Sequence, residues 1–203
     1  LKHIIIPSTI DNINYSAFYG CKELTDVIID KNTTNITRNA FSDCDKLQNL
    51  YQYSEDELLN LIDEYGHLNV PEGITQIYTY TLRDCDDLIS ITLPKTLVKL
   101  SKNAFSSCAN LKSIEIPDSV ITIGACAFSY CYSLTDIKLP KNLTMLDIGT
   151  FRCCKSLKSI QLPQNLMIIG NVAFDRCEQL STITIPPSVH TFGIKIFDGC
   201  LNL

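Results

Sequence analysis

The chain has no run approaching 18 consecutive apolar residues, so the sequence offers no membrane-spanning helix and no membrane insertion is expected within it. It has no surplus of positive charge either. Seventeen Lys and Arg against 22 Asp and Glu leave a net charge of −5, and a nucleic-acid surface ordinarily shows a basic patch or stripe, so nucleic acid is not an expected partner. Ten cysteines are present, yet none forms the local Cys-x-x-Cys pair on which structural zinc sites are usually built. A phosphate-binding loop, a nucleophile motif and a metal-ligand cluster are all missing as well, so an enzyme is not expected and no cofactor is implied. Residues 1–7 lack the length and the small-residue cleavage site of a signal peptide, leaving no visible targeting information.

What the sequence does contain is a clock. Cys21 and Cys44 are 23 residues apart, and Cys85, Cys108, Cys131, Cys154, Cys177 and Cys200 keep the same interval. A fixed period of this size is the mark of a solenoid, in which no repeat buries its own apolar face and neighbours stack to share one core. At 45% hydrophobic and 19% charged residues, the chain has ample material for that core. Leu1 and Leu203 occupy the same phase and neither end carries a polar cap, which suggests a fragment of a longer protein.

Within the repeat that starts at Cys108, the apolar positions are Leu111, Ile114, Ile116, Val120, Ile123, Ala127 and Phe128, and the following repeats reproduce them. Alternation at Ile114-x-Ile116 has the period of a strand with both side chains inward. The proline directly after it, at 94, 117, 140, 163 and 186, has no N–H for a ladder and ends the strand. One short strand per repeat is therefore expected, nine in all, stacked about 4.8 Å apart into a parallel sheet. Gly124, Gly170 and Gly193 are expected at turns that need unusual backbone angles, and Ala-Phe-x-x-Cys as a short helical turn that plants the phenylalanine in the core.

The pattern Cys-x-x-Leu-x-x-Ile-x-Leu-Pro-x-x-Val-x-x-Ile-Gly-x-x-Ala-Phe-x-x-Cys resembles the BspA-like, treponemal-type leucine-rich repeat, over nearly the whole chain. The resemblance implies an α/β repeat solenoid: a curved, right-handed leucine-rich repeat coil forming a single domain over 1–203. It also implies a non-enzymatic recognition module, the repeat region of a cell-surface or secreted adhesion protein of anaerobic bacteria or protozoa. The partner would be a host, matrix or cell-surface protein, or a glycan. The alternative is an intracellular scaffold with a cytosolic partner, because unpaired cysteines suit a reducing compartment.

The regular spacing fails once, between Cys44 and Cys85. Ser54-Glu-Asp-Glu57 reads as a capping box, followed by Leu58, Leu61, Ile62 and Tyr65 at helical spacing, so an inserted amphipathic helix is expected over 55–65 within a variant segment of about 53–66. Leu61→Asp is then expected to disturb the stack. Eight cysteines share one repeat position and read as a ladder of reduced, buried thiols acting as small hydrophobes, with disulfides between rungs as the alternative. Cys126 and Cys153 stand outside that ladder, and His3, His67 and His190 have no serine or carboxylate motif around them. Asn142 opens an Asn-x-Thr sequon but shares its repeat position with Asn165, where an amide that satisfies turn backbone is expected rather than a glycan.

The residues between the inward positions of the strand should form a regular exposed array. These are Lys112, Ser113 and Glu115; Thr135, Asp136 and Lys138; Lys158, Ser159 and Gln161; and Ser181, Thr182 and Thr184. The array is polar and mixed in charge, suited to an extended protein or glycan rather than to a small molecule in a deep pocket.

Overall fold

A 23-residue repeat predicts that each strand pairs with the one 23 residues along, and every strand pairing among the described residues has that offset and is parallel. The computed structural model describes residues 2–6, 9–30, 35–37, 40–47, 49–53 and 58–203. They fall into two compact units, Leu1–Leu58 and Leu59–Leu203. The division lies inside the one irregular interval.

In the first unit, β1 (His3–Ile6), β3 (Asp26–Asp30) and β5 (Asn49–Tyr53) form one parallel sheet, and β2 (Asn12–Ile13) pairs with β4 (Asn35–Ile36) in a second. Ile6, Ile13, Leu24, Val27, Ile29 and Ala40 make its buried core. The second unit repeats the plan. Its first strands are β6 (His67–Asn69), β8 (Ser90–Thr92), β10 (Ser113–Glu115), β12 (Asp136–Lys138), β14 (Ser159–Ile160) and β16 (Thr182–Ile183). Its second strands are β7 (Gln76–Ile77), β9 (Lys99–Leu100), β11 (Thr122–Ile123), β13 (Met145–Leu146), β15 (Ile168–Ile169) and β17 (Thr191–Phe192). First strands order as β12-β10-β8-β6 and β14-β16; second strands as β11-β9-β7 and β13-β15-β17.

Two strands per repeat replace the single one expected. The second has only two residues, too few for alternation to show, and its inward residue follows the preceding core residue at a spacing of three, as in Val120-x-x-Ile123. It forms because, once the chain turns after Pro117, the Ile121 and Gly124 amides reach the Val98 and Leu100 carbonyls of the previous repeat, at 3.0 and 2.9 Å.

The helical turn is corrected too. Across Cys126–Cys131 the backbone donors alternate. Those of Cys126, Phe128 and Tyr130 go to Ile148, Thr150 and Arg152 of the next repeat at 2.7–2.9 Å, while those of Ala127, Ser129 and Cys131 go three residues back. With every other N–H donated to the next coil, no i→i−4 ladder can run. Left-handed residues at both ends enforce this, Cys126 at φ 56° and Tyr130 at φ 62°, and the same two positions recur in other repeats. The helical half of the α/β description therefore fails: among the described residues only Leu58 and Leu59 are helical, and the repeats form parallel β-solenoids. Of the helix expected over 55–65, the capping box at 54–57 lies outside the described residues. After Leu59 the chain turns, Asp63 Oδ1 accepting the Tyr65 and His67 amides at 2.9 Å each. Leu61 is exposed, so an aspartate there is accommodated at the surface.

Gly124, Gly170 and Gly193 are required for a different reason than the one expected. None has a positive φ; a Cβ on Gly124 would lie 2.6 Å from the Lys102 nitrogen, and one on Gly193 would lie 2.3 Å from that of Asn171. They let successive coils approach.

The interior is a set of one-residue ladders. Phe105, Phe128, Phe151, Phe174 and Phe197 stack with centroids 5.2–5.7 Å apart, the first four fully buried. Each such ring contributes roughly 2–3 kcal/mol by its burial. The cysteine ladder does more than fill space. Cys131 Sγ donates to the Phe105 carbonyl, Cys154 to Phe128, Cys177 to Phe151 and Cys200 to Phe174, each at 3.1 Å, and Cys108 to Leu82 at 2.9 Å. In the first unit Cys44 donates to Phe18 in the same way. All ten cysteines are free. Burial pushes the Cys131 thiol up to about 12 and raises those of Cys108, Cys154 and Cys177, so these side chains are neutral donors. Cys153, which abuts the ladder, is buried as well rather than turned out to solvent.

Candidate functional site

Strand alternation places the middle residue of each three-residue first strand in the core, as Leu68, Ile91, Ile114 and Ile137, and turns its neighbours outward. Because the register is fixed at 23, the outward residues align in rows. One runs Ser90, Ser113, Asp136 within one sheet and Ser159, Thr182 within the next. All twelve residues expected to form the array are exposed.

The rows are tied across rungs. Lys138 Nζ pairs with Glu115, which raises the Lys138 pKa. Asp118 accepts the Lys141 backbone N–H at 3.0 Å and pairs with the Lys141 ammonium, also at 3.0 Å, and both lower its pKa. Thr135 Oγ1 donates to the Lys112 carbonyl at 3.1 Å and Ser181 Oγ to that of Lys158 at 3.3 Å. The ammonium groups of Lys112 and Lys158 make no ion pair among the described residues. Exposed pairs of this kind add little stability.

Two shallow grooves cross the face. The larger, about 630 Å³, is lined by Asp136, Lys138, Ser159 and Gln161 over Ile137 and Ile160. The smaller, about 550 Å³, brings together Ser113, Glu115, Asp136 and Lys138. Lys112, Thr135, Lys158, Ser181, Thr182 and Thr184 line neither. At one end, the His67 ring lies between two hydroxyls, Nδ1 2.8 Å from Ser90 Oγ and Nε2 3.1 Å from Thr92 Oγ1. That arrangement was not anticipated, since the 23- and 25-residue separations hide it in the sequence. Asn165 Nδ2 reaches the Lys141 carbonyl at 3.5 Å, a long version of the turn amide expected there.

A family model for the BspA type leucine rich repeat region, in six copies, matches residues 1–65 and 75–203. The chain belongs to the BspA-type leucine-rich repeat family. Among solved structures, this family member is 32% identical to a leucine-rich repeat protein from Bacteroides ovatus, with a TM-score of 0.60, covering 95% of the present chain and 48% of that one. It thus spans about half the length of that relative. It is also 28% identical to a leucine rich repeat protein of T. pallidum (TM-score 0.48, 99% and 77% covered). For a leucine-rich repeat protein from Eubacterium ventriosum the identity is 18%, the TM-score 0.55 and the coverage 98% and 64%, a likeness of fold. No curated protein matches. Among the described residues of this BspA-type chain, no group of three or more His, Cys, Asp or Glu is placed to hold a metal, and no helix is long and apolar enough to cross a membrane.

What the repeat can do chemically follows from its shape. Shallow grooves with polar walls and partly apolar floors make many weak contacts along an extended partner. They do not enclose a small ligand as a deep pocket does.

Proposed function

We propose that the chain is a recognition module whose first-strand face contacts an extended segment of a protein, or a glycan, and that it serves as the repeat region of a cell-surface or secreted adhesion protein. The observation that carries this is the alignment of twelve exposed polar side chains on one face, six of which line two adjoining grooves. The family resemblance supports the surface setting. The reading is tested by binding of the chain to cultured-cell surfaces and to immobilised matrix proteins and glycans, against a variant with Lys112, Lys138 and Lys158 all changed to Glu. Retained far-UV circular dichroism with at least tenfold weaker binding is the expected result; undiminished binding by the variant removes this face from consideration.

The thiols favour a second reading, an intracellular scaffold presenting the same face to a cytosolic partner. Six thiols each donate to a backbone carbonyl, a role that oxidation to a disulfide would end. Alkylation and mass spectrometry of protein isolated without reductant separate the two settings. Ten thiols that label only after denaturation support the cytosol or an anaerobic exterior, whereas disulfides support an oxidising exterior.

A further inference from the structure

The second-strand face of residues 59–203 differs in kind from the first. Val98, Ile121 and Met167 hold one repeat position just before the second strand, and Met145 holds the next position within it; all four are exposed, by 37–59%. Ile168, paired with Met145, is half-buried beside them. Single exposed aliphatic residues are ordinary, but the register here lines these up on adjacent rungs. At such exposures they leave on the order of 300 Å² of apolar surface open, already the size of the largest patch on many monomers.

We infer that this stripe is a self-association surface, and that a second copy of the chain covers it face to face about a two-fold axis. A two-fold interface must be complementary to itself. From Val98 to Thr191 the two rows contain Val, Ile, Thr, Met and His, and Lys, Thr, Met, Ile and Thr. Lys99 is their one full charge, and it sits at the end. An axis through the middle of the stripe, near Thr144 and Met145, sends the two copies of Lys99 to opposite ends, so they never face each other, while methionine and isoleucine meet in the centre. Adding the threonine rim and the lysine stem, two copies cover roughly 1,200 Å², the lower bound for a specific interface, which places the association among the weak, transient ones. The first-strand faces belong to other sheets and stay open, so such a dimer displays two of them, and a repetitive surface would be held with the gain that bivalency provides.

Sedimentation velocity of the 203-residue chain between about 1 and 200 μM, with reductant present to exclude disulfide dimers, tests the inference. A monomer–dimer equilibrium is expected for the wild type, with Ile121→Glu/Met167→Glu weakening it at least tenfold and Lys138→Glu, on the other face, leaving it unchanged. If the double variant does not fold, Thr144→Arg, an exposed position at the centre of the stripe, takes its place. A wild type monomeric at every concentration overturns the inference. So does a dimer that survives a folded variant, because the copies then meet elsewhere.

Discussion

Along the first strands of residues 59–203 the outward positions carry Ser, Thr, Asn, Gln, Asp, Glu, Lys and His; along the second strands the corresponding positions include Val98, Ile121, Met145 and Met167. Inside, the two sheets are alike. Ile114 and Ile137 of the first strands, and Ile123 and Leu146 of the second, are all buried to 5% exposure or less. The interior therefore does not distinguish one face from the other. It holds both sheets to one register, and the outward residues are free to be polar on one side and apolar on the other. The features that mark the family lie in the buried ladders; the rows outside are where members can differ without disturbing the stack.

The heaviest test of this division is to cut a ladder both sheets share. Phe151→Ala removes the central ring of the stack and should cost about 3–5 kcal/mol by urea denaturation. If the loss is under about 1 kcal/mol, the rings are not the shared support claimed here. Next, Ile114→Ala and Ile123→Ala take one inward residue from each sheet, and both should fall in the range of about 2–5 kcal/mol. A large cost on one sheet alone would show that the interior does discriminate between the faces. Cys154→Ala removes the thiol donor to Phe128 while leaving that carbonyl its Cys131 amide, so the cost should be smaller, about 0.5–1.5 kcal/mol.

The same ladder responds to pH. Burial raises the folded-state thiol pKa values, Cys131 from an ordinary 9.0 to about 12, so above pH 9 the unfolded chain loses thiol protons that the folded chain keeps. Stability from these groups is complete below pH 9 and declines as pH rises through 9 to about 12. The urea midpoint should follow that decline, and a midpoint that holds steady to pH 11 would mean the thiols are accessible. The smallest effects belong to the outward rows. Lys112→Glu and Ile121→Glu should each change stability by less than about 0.5 kcal/mol, since both side chains are exposed. If either unfolds the protein, its row is part of the framework and not a free surface.

Much of this protein was determined by its sequence alone. The period of 23, the inward pairs such as Ile114-x-Ile116, the prolines that end the strands, the phenylalanine ladder and the exposure of all twelve array residues follow from a repeat that must stack to bury its apolar side. Residues at one repeat position become neighbours, and that needs no coordinates. Tertiary structure decided whatever depends on hydrogen bonds between coils. The second strand is too short to carry a periodic signal, and the expected helical turn is cancelled because alternate amides of Cys126–Tyr130 reach carbonyls 22 residues ahead. The glycines answer to the approach of the neighbouring coil, and six of the ladder thiols find a carbonyl 26 residues back. Those partners are local in space and remote in the chain, which is why only the folded stack could show them.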